Sequence, residues 1–220
     1  MTRPIGILGG TFDPVHYGHL RLAEELGETL RADEVRFIPA GTPPHRSAPL
    51  VSAAHRLAMV RLATESNPRF RVDDCEVKRA GPGYMVDTLS ALRAEAGAMR
   101  PLVLIVGADA FLELATWHRW HELFDLAHVA IAHRPGYPVE RWTERMPQPL
   151  AREYSSRLIQ QPLATHLQPA GGIAVIPFTA LDISATSIRD MLKAGASPRY
   201  LLPGAVLDYI ASNNLYTGSE

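Results

Sequence analysis

Two histidines, His16 and His19, lie three positions apart and closely follow a glycine pair and a threonine. On a helix this spacing puts both imidazoles on one face, about 4.5 Å apart along the axis. Gly9 and Gly10 free the backbone for a sharp turn, and Thr11 adds a hydroxyl. Each residue alone has an ordinary structural role, but together they predict a site for the oxygens of a phosphate group.

The elements around this stretch are predicted to be a strand, a turn and a helix. Residues 5–8 form a short apolar run, as buried parallel strands do. Asp13 followed by Pro14 predicts the helix start, because aspartate is a good N-cap and proline lacks only an N–H that has no partner there. The unpaired N–H groups and the positive end of the helix dipole then favour an anion above the strand.

Strands and helices alternate over most of the chain. Strands are predicted at 34–39, 70–72, 75–77, 101–107, 126–132 and 173–176, and helices at 52–65, 86–96, 110–114, from 116 onward and at 203–215. This order predicts an α/β fold, a Rossmann-like doubly wound and mostly parallel sheet with a small C-terminal helical portion at 184–220. We expect one domain over 1–220, with an excursion or flap at 135–172 that has one helix near 150–159.

Polar residues follow several of these strands, at the carboxyl ends where open α/β sheets bind ligands. Arg46, next to His45, is either a phosphate ligand or a solvated charge in a proline-stiffened loop. Asp109 either contacts a ribose hydroxyl or caps a helix. Arg134 follows the strand at 126–132. We therefore expect several ligand-binding side chains to line one crevice at this edge of the sheet.

A second cluster, at 183–189, brings three hydroxyl residues and an arginine to the start of another helix. Ser184 and Thr186 are good N-cap residues. Arg189 is either a surface charge or a bidentate hydrogen-bond donor to phosphate oxygens. The chain has no Ser-His-Asp order and no glycine-rich loop ending in Gly-Lys-Ser or Gly-Lys-Thr. The set is therefore suited to stabilising charge on a transferring phosphate by position, without a covalent nucleophile.

Composition excludes several other classes. With 22 basic and 23 acidic residues the formal net charge is -1, so there is no general basic field for a nucleic acid polymer or a membrane. Cys75 is the single cysteine, which excludes an intrachain disulfide framework. No apolar run is long enough to span a bilayer, and no signal peptide precedes the first strand. We expect a cytoplasmic protein whose oligomeric state is open.

Two stretches of the sequence resemble motifs of a known family. The string 10–19, Gly-Thr-Phe-Asp-Pro-Val-His-Tyr-Gly-His, resembles the paired-histidine signature of the nucleotidyltransferases, and 183–189 resembles its Ile-Ser-x-Thr-x-Ile-Arg partner motif. Further similar motifs lie at 43–46, 107–109, 116–118 and 133–136. Together they cover nearly the whole chain, and they are most similar to the bacterial nicotinate mononucleotide adenylyltransferases.

The resemblance implies the substrates and a role for each matching residue. ATP, accompanied by Mg²⁺, would give its adenylyl group to nicotinate mononucleotide by direct in-line attack, with release of pyrophosphate. The catalytic residues would be His16, His19, Arg189 and Thr11. The ATP-binding residues would be Gly9, Gly10, Thr11, Phe12, His16, His19, Gly107, Asp109, Arg134, Ile183, Ser184, Thr186 and Arg189. The mononucleotide-binding residues would be His45, Arg46, Tyr84, Met85, Thr88, Trp117 and His118, with Trp117 stacked on the nicotinate ring.

One departure and three alternatives bear on this prediction. Many relatives have a Tyr-Thr pair where this chain has Tyr84-Met85, so a hydroxyl near the pyridine site is missing and the choice between nicotinate and nicotinamide is open. A transferase of the same superfamily acting on another acceptor, such as phosphopantetheine, is a second reading, and a non-catalytic nucleotide-binding module is a third. A metallohydrolase is disfavoured, because no carboxylate or third histidine stands at helical spacing to complete a protein metal site around the pair.

Overall fold

The computed structural model describes residues 2–43, 48–134 and 142–217. Seven parallel strands form one sheet in the order β3-β2-β1-β4-β5-β7-β6. The strands are β1 Ile5–Gly10, β2 Glu34–Pro39, β3 Phe70–Val72, β4 Leu102–Gly107, β5 His128–His133, β6 Leu158–Ile159 and β7 Ile173–Pro177. The predicted Rossmann-like α/β fold is confirmed, and every strand of the sheet is parallel.

Ten helices accompany the strands in the part of the chain that the structure describes. They are α1 Tyr17–Thr29, α2 Ala53–Thr64, α3 Cys75–Lys78, α4 Met85–Ala96, α5 Ala108–Leu112, α6 Leu123–Leu126, α7 Trp142–Arg145, α8 Gln148–Arg157, α9 Ala185–Lys193 and α10 Gly204–Ser212. Short 3-10 turns lie at Leu114–Thr116, Trp120–Glu122 and Pro162–His166. None of the helices in the described residues is long and apolar enough to cross a membrane.

The chain forms two compact units, each built from separate stretches of sequence. The first comprises Met1–Gly9, Leu22–Arg36 and Tyr84–Ala180, and the second comprises Gly10–Arg21, Phe37–Gly83 and Leu181–Glu220. A single nucleotidyltransferase domain over 1–220 stays a prediction.

The core of the first unit lies around β4, β5 and β7. In β4 the five residues from Leu102 to Val106 are all buried, as expected for a central parallel strand covered on both faces. Val103 of β4 is in register with His128 of β5, and Val129 of β5 with Ile173 of β7. Arg93 of α4 stabilises this unit by donating hydrogen bonds to four backbone carbonyls, those of Gly97, Arg100, Leu126 and Pro169.

The segment predicted as an excursion returns to the sheet. Its predicted helix near 150–159 is α8, and the next two residues form β6, in which Leu158 is in register with Ile173 of β7. The irregular sequence pattern did not predict β6. Pairing with β7 supplies hydrogen-bond partners for its backbone. Residues 135–141 lie outside the described part of the chain, and the flap stays a prediction.

In the second unit, α2 begins and ends where the sequence predicts. Ser52 is the N-cap, as predicted, because its hydroxyl accepts a hydrogen bond from the backbone N–H of His55. Glu65 is the C-cap. His55 in turn contacts Tyr209 of α10, with its Nδ1 3.0 Å from the Tyr209 hydroxyl.

Two sequence predictions of secondary structure are wrong, and the bounds of a third are shifted. The strand at 75–77 is helix α3, whose start is held by Asp73 accepting the Cys75 N–H. The helix placed at 110–114 is α5, which begins two residues earlier. The helix from 116 is replaced by 3-10 turns, because Trp117 is extended and Arg119 is left-handed at φ 51°.

Candidate active site

The paired histidines lie at the start of α1, within the second unit. His16 immediately precedes the helix, and its carbonyl accepts the N–H groups of His19 at 2.9 Å and Leu20 at 3.3 Å. The two imidazoles are stacked, with ring centroids 3.8 Å apart and planes inclined by 29°. The prediction that both rings share one face is confirmed.

A hydrogen bond fixes which nitrogen of His19 carries the proton. The backbone N–H of His16 donates to His19 Nδ1 at 3.3 Å, so Nδ1 is an acceptor. In the neutral ring Nε2 therefore carries the hydrogen and is the donor. The Phe12 ring meets the His19 ring edge-on at 5.0 Å and limits its orientation. His19 is thus prepared to donate from Nε2.

His16 is held as a neutral imidazole. Its side chain is only 7% exposed, and burial lowers its pKa from 6.5 to about 4. Within the described residues its buried Nδ1 has no hydrogen-bond partner, which is costly in a protein interior and typical of a group that serves a ligand. A Cβ on Gly18 would lie 3.0 Å from both Cε1 and Nδ1 of this ring, so glycine makes room for it.

Asp13 is not the N-cap that the sequence predicts. Helix α1 begins at Tyr17, four residues later, and the Asp13 carboxylate is used elsewhere. Its Oδ1 accepts the hydroxyl of Tyr216 at 2.7 Å and its Oδ2 accepts the backbone N–H of Leu50 at 2.9 Å. Because both oxygens are taken by distant partners, the carboxylate holds the turn rather than the helix start.

Arg189 also reaches this turn. Its Nη1 donates to the backbone carbonyl of Asp13 at 2.8 Å, and its Nη2 donates to the Thr186 hydroxyl at 3.2 Å. Ser184 is the N-cap of α9, because its hydroxyl accepts the N–H of Ser187 at 3.0 Å. The predicted hydroxyl cap is confirmed, and Arg189 stands 176 positions from Asp13 in sequence but in direct contact with it.

Sequence reasoning missed Arg56. This side chain of α2 is 1% exposed and donates to the carbonyls of Thr11 at 2.7 Å, Gly41 at 2.9 Å and Val51 at 3.4 Å. Burial lowers its pKa, and the negative charge of Asp13 opposes that shift. The spacing of Arg56 from Met59 and Val60 was a usable signal, because it puts the arginine on the buried face of the helix.

Four of the predicted ATP ligands lie in the first unit, and all of them except Gly9 are exposed. Gly107 ends β4 with open space where a Cβ would stand. Asp109 is in the first turn of α5 and Arg134 follows β5. Gly9 also belongs here, and a Cβ on it would lie 2.6 Å from Met85 Cε, so a side chain at that position would displace Met85.

Two of the predicted mononucleotide ligands of the first unit pack ring against ring. The rings of Tyr84 and His118 are 4.3 Å apart and inclined by 33°. Trp117 is half-buried and Trp120 is buried, so Trp117 is the indole with an accessible surface. Thr88 is fully buried, which favours a packing role for its side chain. His45 and Arg46 lie outside the described residues.

Across 2–43, 48–134 and 142–217, no three side chains of the His, Cys, Asp and Glu types come together as a metal site. Burial and its acidic neighbours raise the pKa of Cys75 to about 12, so this thiol is not a nucleophile near neutral pH. The chemistry of the site therefore depends on imidazoles, guanidinium groups, hydroxyls and backbone N–H groups.

A family model described as cytidylyltransferase-like matches residues 7–191, which include both the histidine pair and the Arg189 motif. With the parallel sheet, this match defines the class of the protein, the cytidylyltransferase-like nucleotidyltransferases. A Dechloromonas aromatica protein named probable nicotinate-nucleotide adenylyltransferase is 53% identical over 219 residues, covering 100% of each chain. A Methylococcus capsulatus protein of the same name is 47% identical over 213 residues, covering 96% of this chain and 99% of that relative. The chain belongs to the family of the nicotinate-nucleotide adenylyltransferases.

Solved structures agree on the fold. The nicotinic acid mononucleotide adenylyltransferase of Plasmodium falciparum complexed with NaAD has a TM-score of 0.73, is 17% identical and covers 97% of each chain. The same protein complexed with APC has a TM-score of 0.70 at 16% identity, again covering 97% of each chain. At this identity the likeness bears on the architecture alone.

Proposed function

We propose that this protein transfers the adenylyl group of ATP to nicotinate mononucleotide, giving nicotinate adenine dinucleotide and pyrophosphate. A phosphate oxygen of the mononucleotide attacks the α-phosphorus, and the bond from that phosphorus to the bridging oxygen of the β-phosphate breaks. The electron pair leaves with pyrophosphate. The observation that carries the proposal is the stacked His16–His19 pair, with Arg189 hydrogen-bonded to the same turn. A relative that matches over the full length is named probable nicotinate-nucleotide adenylyltransferase.

The histidine pair supplies hydrogen bonds rather than a base. His19 donates from Nε2 to a phosphate oxygen, because its Nδ1 already accepts the His16 N–H. His16 contributes a neutral imidazole, since burial keeps its pKa at about 4. Donors that are already in place stabilise the charge that builds up on the transferring group without having to reorganise.

Arg189 and Thr11 complete the catalytic set in this proposal. The Arg189 guanidinium is held at the turn by Asp13 and Thr186, so its positive charge is available near the α-phosphate. The Thr11 carbonyl is held by Arg56, which fixes the backbone of the phosphate-binding turn. Direct in-line transfer needs positioning and charge stabilisation more than covalent chemistry by the protein.

Further residues bind the two substrates in this proposal. The other ATP ligands are Gly9, Gly10, Phe12, Gly107, Asp109, Arg134, Ile183, Ser184 and Thr186. The mononucleotide ligands are His45, Arg46, Tyr84, Met85, Trp117 and His118, and the half-buried Trp117 is the stacking partner for the pyridine ring. Thr88 is left out of this set, because it is fully buried.

Mg²⁺ accompanies ATP in this proposal and comes without a cage of protein ligands. Asp13 is the carboxylate in the turn, and both of its oxygens already accept hydrogen bonds. The donor set at the turn is nitrogen-rich, whereas Mg²⁺ prefers oxygen, so the ion would be held by the phosphates and water. A cytoplasmic location, as for other enzymes of nucleotide metabolism, is part of the same proposal.

The test is pyrophosphate release by the purified protein with ATP, Mg²⁺ and one acceptor at a time. The acceptors are nicotinate mononucleotide, nicotinamide mononucleotide and phosphopantetheine. We expect release with the first at a much higher kcat/KM than with the other two. No release with nicotinate mononucleotide would refute the function, and equal kcat/KM for the nicotinamide form would refute its specificity.

A further inference from the structure

Tyr216 bonds to the phosphate-binding turn although it lies 203 positions further along the chain. It follows α10, and its hydroxyl donates to Asp13 Oδ1 at 2.7 Å. Asp13 is 7% exposed, so this hydrogen bond to a carboxylate is shielded from water. Burial, followed by the bond to Asp13, raises the pKa of Tyr216, so the hydroxyl keeps its proton and remains a donor.

The backbone after α10 adopts a costly conformation that brings this hydroxyl to Asp13. Asn214 and Tyr216 have φ values of 51° and 61°. Asparagine tolerates the left-handed region, but a bulky tyrosine rarely adopts it. Between them the buried Leu215 anchors the segment, and its N–H donates to the Ile210 carbonyl at 3.0 Å. Strain of this kind persists where the surroundings enforce it, commonly near functional sites.

Through Asp13 the Tyr216 hydroxyl is linked to two other parts of the same unit. The second carboxylate oxygen accepts the Leu50 N–H, and the backbone carbonyl of Asp13 accepts Arg189. His16 follows Asp13 by only three residues. A shift of the Asp13 backbone would therefore move Arg189 and alter the approach to the histidine pair.

We propose that the Tyr216 hydroxyl is a positioning group for adenylyl transfer, which holds Asp13 so that Arg189 and the histidine pair keep the geometry that the reaction needs. Tyr216 touches no reacting atom in this inference and acts through Asp13. The inference rests on the proposed function for the identity of the reaction. The effect of Asp13 on the phosphate-binding turn is independent of the proposed function.

The test compares Tyr216→Phe with the matched control Tyr209→Phe. Both substitutions remove one phenolic hydroxyl from the same region of the second unit, but the Tyr209 hydroxyl contacts His55 rather than Asp13. Loss of a charge-assisted hydrogen bond that aligns catalytic groups should lower kcat about tenfold. We expect the KM for nicotinate mononucleotide to stay within about twofold, because Tyr216 does not bind that substrate.

Both variants are assayed well below their melting temperatures, so that a small loss of stability does not enter kcat. For Tyr209→Phe we expect kcat within about twofold of the unsubstituted protein. A Tyr216→Phe enzyme with unchanged kcat would overturn the positioning role. An equal fall of kcat in both variants would also overturn it, because the effect would then be general to the region.

Asp13→Asn shows whether Tyr216 acts through Asp13. An amide offers one acceptor oxygen and an NH2 donor where the carboxylate offers two acceptors, so Tyr216 loses its charged partner and keeps at most a neutral hydrogen bond. Removing the Tyr216 hydroxyl in that variant should therefore cost kcat less than it does alone. Independent, multiplicative losses would contradict the inference.

A protein that releases no pyrophosphate with nicotinate mononucleotide refutes the proposed function, and calorimetric titration with ATP and Mg²⁺ then decides the inference separately. We expect ATP to bind at least about threefold more weakly to Tyr216→Phe than to Tyr209→Phe, since the turn that holds its phosphates has lost a support. Equal affinities of the two variants would overturn the positioning role.

Discussion

Replacing Arg56 with methionine should destabilise the protein strongly, although its hydrogen-bond partners among the described residues are all uncharged carbonyls. The guanidinium donates to the carbonyls of Thr11 at 2.7 Å and Gly41 at 2.9 Å, with a longer contact of 3.4 Å to Val51. Because Arg56 is only 1% exposed, its removal would leave these carbonyls without a donor and with little access to water. The methionine side chain fills similar space, so the effect reports hydrogen bonds more than a cavity.

The magnitude follows from the two short hydrogen bonds. Each bond to a charged donor contributes about 1.5–3 kcal/mol, and relief of the buried charge offsets part of the loss. We therefore expect the free energy of unfolding to fall by about 3–4 kcal/mol. Since small proteins are stable by only about 5–15 kcal/mol, this is a large fraction of the total.

The assay is urea unfolding followed by circular dichroism, with Arg61→Met as the control on the same helix. The Arg61 side chain is 57% exposed and pairs with Asp74 at 2.9 Å, so its loss should cost less than about 1 kcal/mol. If Arg56→Met lowers the free energy of unfolding no more than Arg61→Met does, the assignment of Arg56 as the anchor of the turn is refuted.

Three further predictions concern the two units. Because burial lowers the pKa of His16 to about 4, the unfolded chain binds a proton between pH 6.5 and 4 that the folded chain does not. Stability should therefore fall over this range by about 3 kcal/mol more than in His16→Asn, as measured by urea unfolding at pH 7 and pH 4, and parallel losses would contradict the burial argument. Trp117→Ala should raise the KM for the mononucleotide more than the KM for ATP in steady-state kinetics, whereas equal increases would remove Trp117 from the pyridine site. Met85→Thr, which supplies the hydroxyl that many relatives have, should raise the kcat/KM ratio of nicotinate over nicotinamide mononucleotide, and an unchanged ratio would show that this side chain does not set the choice.

Local patterns in the sequence were sufficient for most of the elements and for several caps. The apolar run at 101–107 predicted β4, and Ser52 and Ser184 predicted the starts of α2 and α9. These features depend on residues a few positions apart, so a pattern in the sequence contains them. The histidine spacing likewise predicted that the two imidazoles share one face, and the structure adds that their rings are stacked.

Contacts between distant residues could not be read in the same way. Asp13 before Pro14 has the pattern of an N-cap, yet its carboxylate bonds to Leu50 and Tyr216, which lie 37 and 203 positions away. A local rule assigned Asp13 to the nearest helix because nothing in the sequence marks the longer-range donors. Arg56 had a partial signal in its helical spacing, whereas Tyr216 had none.

Turn geometry was a second source of error. The run from 116 to 120 has helical spacing of its tryptophans, but Trp117 is extended and Arg119 is left-handed, so no helix passes through them. A left-handed arginine is uncommon, and the spacing of apolar residues gives no sign of it. The difference matters for function, because Trp117 is half-buried whereas Trp120 is buried.

We propose that the paired histidines of the α1 turn promote adenylyl transfer to nicotinate mononucleotide. The most direct test is the rate of nicotinate adenine dinucleotide formation by the unsubstituted protein and by His19→Ala, with the exposed His121→Ala as the control. We predict that His19→Ala lowers kcat by about a thousandfold or more with nearly unchanged melting temperature, and that His121→Ala leaves kcat within about twofold. Dinucleotide formation by His19→Ala at the rate of His121→Ala would contradict the account.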